Sequence, residues 1–228
     1  EEKTELQLTT QEEIYAAMKK ERDLSHADLS GMDLTGMKFG GLKMTGVDMS
    51  GADLTGATFA GLEMAEANLS EADATGSKFA GVNLAQGLLK RIQLIGAKFA
   101  GVNVEKSDLS EAELDGATFI GVSLAQTNLQ QASLHGALMR GASLREADLT
   151  GADLTESYLD RVDVTDANFT DVQTGGARSS RVNWGAAKVP PAELPEEVFV
   201  LPEWVPALIL GAAIVGLILV LRKRRKKD

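Results

Sequence analysis

The sequence predicts an all-β rod wound as a stack of square coils, and three periodic observations predict it. An apolar residue recurs at every fifth position from Leu24 to Phe169, thirty times without a slip in register. A smaller residue, such as Ala27, Ala52, Ala67, Ala112 or Ala147, often stands two positions before it. Every twentieth position from Phe39 is again Phe, at Phe59, Phe79, Phe99 and Phe119. A helix repeats at about 3.6 residues and a flat strand at 2, so neither accounts for a period of five. A coil with five residues per side does: the central residue and the one two before it point inward, and the other three face solvent. The period of twenty sets four sides per coil. Each Phe is followed two places later by Gly (Gly41, Gly61, Gly81, Gly101, Gly121), which places the Phe column at one corner. At strand spacing of ~4.8 Å, the eight coils between Leu24 and Trp184 make a rod of roughly 38 Å.

The chain divides in order. Residues 1–23 are an N-terminal segment holding a helix from Gln11 to Lys20, opened by a Thr10/Glu13 capping box. Ile14, Ala17 and Met18 share one face of it, which is expected to cover the first coil. Residues 24–184 are the solenoid. Its register decays at the far end, where Thr174 and Ser179 take inward positions and Trp184 is expected as a terminal plug. Residues 185–203, holding four of the five prolines together with Glu193, Glu196, Glu197 and Glu203, read as a semi-rigid acidic stalk. Residues 204–221 are uniformly apolar after Trp204 and read as a single transmembrane helix of ~27 Å. Residues 222–228 are a basic tail beginning Arg222-Lys223. Ala207 with Gly211, and Ala212 with Gly216, give the span small residues at four-residue spacing, which permits a helix neighbour in lipid. Positive charge stays on the cytoplasmic side of a membrane, so the solenoid is expected outside the cytoplasm and the tail within it. A start at Glu1 fits a removed signal peptide, and it also fits a sequence that lacks its first residues.

The units Ala27-Asp28-Leu29-Ser30-Gly31, Ala52-Asp53-Leu54-Thr55-Gly56, Ala67-Asn68-Leu69-Ser70-Glu71 and Ala147-Asp148-Leu149-Thr150-Gly151 resemble the pentapeptide-repeat family, whose motif is A(D/N)LXX. The resemblance runs over residues 24–184. It implies a right-handed quadrilateral β-helix, and it implies no catalytic residues, because the motif residues are structural.

Composition narrows function. The chain carries a formal charge of −10; residues 222–228 contribute +5, which leaves −15 on residues 1–221. Such a body repels phosphates, so no nucleic-acid partner is expected. There is no Cys, which removes disulfides and thiolate metal sites. Asp115, His135 and Thr155 lie twenty residues apart and superficially resemble an acid–base–nucleophile set. An exposed polar row across coils is the preferred reading. Columns of Asp, such as Asp28, Asp48 and Asp108, supply no loop with the oxygens calcium needs. No enzyme activity, cofactor, metal or small-molecule substrate is expected.

Two regions stand out as contact surfaces for a protein. The Phe-bearing side presents Lys38, Lys78, Lys98, Ile120 and Tyr158 beside small residues, a flat and less acidic patch. The irregular stretch Leu88, Lys90, Arg91 and Ile95 sets apolar residues beside cations. The expected function is a non-enzymatic, membrane-anchored scaffold or accessory subunit whose partners are the bilayer and an integral membrane complex. The alternative, implied by the family resemblance, is an acidic DNA-mimic inhibitor of a nucleic-acid enzyme.

Overall fold

The computed structural model describes residues 9–198. Helix α1 (Gln11–Lys20) opens on Thr10, whose side chain accepts from the Glu13 N–H while the Glu13 carboxylate accepts from the Thr10 N–H. Its apolar stripe explains its position: Ile14 is fully buried, and Ala17 and Met18 pack against the core. Gln11 Nε2 donates to the Asp33 carbonyl and ties the helix to the first coil.

The coils follow. Strands β1 (Lys38–Gly40), β2 (Thr58–Ala60), β3 (Lys78–Ala80), β4 (Lys98–Ala100), β5 (Thr118–Ile120), β6 (Leu138–Arg140), β7 (Tyr158–Asp160) and β8 (Arg178–Ser180) stack in sequence order as one parallel sheet. The pairing register is twenty residues, with Phe39 opposite Phe59 and Phe79 opposite Phe99. Isolated parallel bridges with the same step, such as Asp28 to Asp48 and Asp33 to Asp53, hold the other sides. Every coil therefore has four sides, and among the described residues only the Phe-bearing one is a regular sheet.

The five-residue period is closed by turns. Ala27 N–H donates to the Leu24 carbonyl at 3.1 Å, with His26 between them at φ 61°. Turns of this kind require φ > 0 at the third residue. An Asp or Asn at the second motif position braces the residue two places on: Asp28 Oδ1 accepts from Ser30 N–H at 3.0 Å and from its hydroxyl at 2.7 Å. The acidic columns are thus structural braces, and hydrogen bonds hold Asp28 and Asp53 below the ordinary carboxylate value, chiefly from the Ser30 and Thr55 side chains.

Inside, the large and small inward positions form one continuous apolar core from Ile14 to Val172. The Phe rings stack at 4.7–5.1 Å between centroids and within 10° of parallel. They run along the middle of a side, each at the centre of a strand, and not at the corner suggested by the Phe-to-Gly spacing. The corner belongs to the glycines two places on, such as Gly41 at φ 62°.

The far end differs from expectation. Residues 185–197, read as a stalk, pack onto the last coil instead. Val189 bridges Asn168, its carbonyl accepting from the Phe169 N–H at 2.8 Å and its N–H donating to the Ala167 carbonyl at 3.3 Å; Thr174 Oγ1 donates to the Glu193 carbonyl at 2.6 Å, and β9 (Glu196–Glu197) pairs with β8. The cause is the open end of the solenoid, whose unpaired backbone groups need partners. Trp184 packs edge-on against Phe169 at 5.3 Å and donates to Ser179 Oγ, as a plug. The expected span 204–221 and tail 222–228 lie outside the described residues, and with them Trp204, Ala207, Gly211, Ala212, Gly216, Arg222 and Lys223. Among the described residues, no helix is long and apolar enough to cross a membrane.

Candidate functional site

The four sides differ sharply in charge. The side centred on Leu34, Leu54 and Leu114 carries outward Asp33, Asp53, Asp73, Glu113, Asp115 and Asp153 and no Lys or Arg. The side bearing Leu88 pairs its two cations with neighbours: Lys90 lies 2.9 Å from Glu111, and Arg91 contacts Glu71. The Glu71 carboxylate raises the Arg91 guanidinium, and the hydrogen bond from Lys90 lowers Glu111.

The Phe-bearing sheet is the opposite case. Lys38, Lys78 and Lys98 stand in one outward column, which continues through Leu138 and Tyr158 to Arg178. The other outward column runs Gly40, Ala60, Ala80, Ala100 and Ile120 to Arg140, Asp160 and Ser180. The next corner holds Gly in six coils and then Arg161 and Arg181. Seven cations therefore share the coils of this side with one acid, Asp160, and β9 adds Glu196 and Glu197 at the far end. Ile120 projects from the middle, 50 % exposed, and the Arg178 guanidinium lies 5.8 Å from the Tyr158 ring centre. At the near end a shallow groove of about 400 Å³ between α1 and the first coil is lined by Tyr15, Met18, Lys19, Arg22, Lys38, Gly40 and Leu42, which extends the cationic strip across the cap.

Asp160 occupies an outward position yet is buried, 1 % exposed. Its Oδ1 accepts from Arg181 Nη2 at 2.9 Å, and its Oδ2 lies 3.3 Å from Arg140 Nε and 3.4 Å from Arg161 Nη2. Three guanidiniums around one carboxylate leave two positive charges uncompensated. Arg161 and Arg181 also sit at φ 54° and 56°, where a side chain costs about 1–2 kcal/mol relative to glycine.

The structure thus brings Lys38, Lys78, Lys98, Ile120 and Tyr158 onto one face. It does not bring the second group there: Leu88, Lys90 and Arg91 lie on the opposite side, and Ile95 on the acidic side. The sequence reading missed Arg140, Arg161, Arg178 and Arg181; continuing the Lys column in steps of twenty past Lys98 reaches Arg178. Asp115 accepts from Ser133 Oγ and His135 Nδ1 pairs with Thr155 Oγ1 at 2.8 Å, so these residues form two separate pairs and not a relay. Among the described residues, no group of three or more His, Asp or Glu could hold a metal ion.

Comparison with known proteins fits this geometry. Pentapeptide repeats (8 copies) match residues 23–61 and 52–91, and a pentapeptide repeat region matches residues 89–169. The chain belongs to the pentapeptide-repeat family. Among solved pentapeptide-repeat structures, a trypsin-treated variant of QnrB1, a plasmid-mediated fluoroquinolone resistance protein, is 20% identical and superposes with a TM-score of 0.52 over 84% of this chain and 94% of that chain. A pentapeptide repeat protein from the Arabidopsis thaliana thylakoid lumen is 30% identical over 57% of this chain and 69% of its own, with a TM-score of 0.36. HetL, a pentapeptide repeat protein involved in heterocyst differentiation regulation in the cyanobacterium Nostoc sp. strain PCC 7120, is 21% identical over 82% of this chain and 100% of its own, with a TM-score of 0.35. No curated protein matches the chain significantly. The likeness to QnrB1 supports the pentapeptide-repeat fold.

Proposed function

We propose that this pentapeptide-repeat rod is a non-enzymatic docking module that binds an acidic partner protein through its Phe-bearing sheet. One observation carries the reading: a flat, regular, cationic face on a chain that is otherwise acidic. Opposite potentials on adjacent sides orient a partner during encounter and reject wrong partners. Short side chains at Ala60, Ala80 and Ala100 let a partner backbone approach, and Ile120 supplies a central apolar contact.

The finer reading keeps a membrane anchor over residues 204–221, so that the module works beside an integral membrane complex. Its support is the uniform apolarity of that stretch and the basic run after it. An acidic DNA mimic is favoured only by the side bearing Asp33, Asp53 and Asp73; the cationic face beside it speaks for a protein partner instead.

The test is co-purification from native membranes after gentle detergent extraction. The charge-reversed set Lys38→Glu, Lys78→Glu, Lys98→Glu is compared with Lys43→Glu, Lys106→Glu on another side. Loss of a specific co-purifying protein only in the first set is expected. Equal retention in both sets would remove the docking face.

A further inference from the structure

We propose that Arg140, Arg161 and Arg181, gathered around buried Asp160, form a fork that reads the carboxylate of a Glu or Asp side chain in an extended acidic segment of the partner. This deepens the docking-face reading and rests on it.

The geometry of the cluster is built from beneath. Asp160 lies under the three guanidiniums: its Oδ1 accepts a hydrogen bond from Arg181 at 2.9 Å, and its Oδ2 holds Arg140 and Arg161 at ion-pair distances of 3.3 and 3.4 Å. Each Arg side chain remains 52–56% exposed, so the donors turned away from Asp160 face solvent. A guanidinium carries five N–H donors in a rigid plane and binds a carboxylate through two of them at once. Holding three such groups in place beforehand removes the ordering cost that a free arginine meets on binding. Arg161 and Arg181 are one coil apart at the same corner, so two like charges are held side by side, and a single buried acid offsets only part of the repulsion. A second carboxylate, arriving from solvent, completes the compensation.

Two observations specify a peptide carboxylate. Asp160 shows that these guanidiniums gather around that group. The sheet also already carries an extended acidic segment at its end: Glu196 of β9 is in register with Arg178 of β8, and its N–H donates to the Ala177 carbonyl. Tyr158, one strand below Arg178, has its ring centre 5.8 Å from the Arg178 guanidinium on the same face.

The probe is a fluorescein-labelled deca-glutamate peptide, titrated with the full chain in detergent and followed by anisotropy at low and moderate salt. Lys78→Gln with Lys98→Gln removes two charges from the same face and serves as the comparison for Arg161→Gln with Arg181→Gln. The expected result is a roughly threefold loss for the lysine pair and at least a thirtyfold loss for the arginine pair, since paired bidentate contacts exceed dispersed point charges. Arg161→Lys with Arg181→Lys keeps the charge and keeps Asp160 compensated; it is expected to retain the thermal midpoint and still lose about tenfold in affinity. Equal losses for the lysine and arginine pairs, or full binding by the lysine-substituted fork, would overturn the fork while leaving the cationic docking face intact. No binding of the peptide to the unmodified chain would overturn both.

Discussion

Phe79→Ala probes the principle on which the rod is built. Phe79 is 1 % exposed and lies 4.7 Å from Phe59 and 4.9 Å from Phe99, nearly parallel to both. Truncation removes a ring from a column that cannot close up, because the coils above and below are pinned by the backbone ladder at strand spacing. The void approaches the volume lost, roughly 100 Å³, which at ~24 cal/mol per Å³ costs about 2.4 kcal/mol before the transfer of the ring to water is counted. With that transfer, the total reaches about 4–5 kcal/mol, at the upper end for Phe→Ala changes. Two lost ring contacts add about 0.5–1.5 kcal/mol each. Phe39→Ala has one ring neighbour, Phe59, and is expected to cost about 1 kcal/mol less. Thermal unfolding followed by far-UV circular dichroism reads the difference: at about 2–4 °C per kcal/mol, Phe79→Ala should lower the midpoint by ~10–30 °C. A shift under ~3 °C, or an equal shift for the two positions, would refute a continuous, backbone-pinned ring column.

Three further outcomes follow from local geometry. A Cβ on Gly87 would lie 2.9 Å from the Leu84 carbonyl and 3.2 Å from that of Ala67, both backbone, so Gly87→Ala is expected to cost about 1–3 kcal/mol in a denaturant titration. Thr10→Ala removes the cap of α1; it should cost about 1 kcal/mol and speed amide exchange over residues 11–20 while leaving the central coils unchanged. Acid should weaken the rod in a defined window. Asp28, Asp53 and Asp163 are held below their ordinary value of 3.8, chiefly by hydrogen bonds from the side chains of Ser30, Thr55 and Thr165. Their contribution is present above that value and is lost as pH falls through the depressed folded values, so the thermal midpoint should be flat from pH 7 to about 5 and fall below about pH 4.

The coil was legible because its determinants are local and strictly spaced: thirty inward residues at one period leave a single way to wind. The capping helix was legible for the same reason, through Thr10, Glu13 and Ile14. The docking face was only half legible. Lys38, Lys78 and Lys98 stand out against small neighbours, whereas Arg140 and Arg178 lie in different columns of the same face and Arg161 and Arg181 at its corner. Their common side appears once the twenty-residue register is carried across all eight coils. The burial of Asp160 was not legible at all, since an outward position predicts exposure and the cover comes from long side chains of three different coils. Residues 185–197 were misread because prolines break the period; the packing there is dictated by the backbone of the last coil, which leaves no mark in the pattern of the segment that covers it.

The constant advance from coil to coil converts sequence separation into physical length. A residue placed twenty positions later reappears on the same side ~4.8 Å farther along the axis. Lys78 and Lys98 are therefore one graduation apart, Lys38 and Lys78 two, and the scale is engraved by the backbone, whatever side chains it bears. Inserting one complete coil after Ala100 would move the arginine end away from the lysine end by a single graduation and leave both ends locally unchanged. A rigid counterpart would then fit one end or the other, but no longer both.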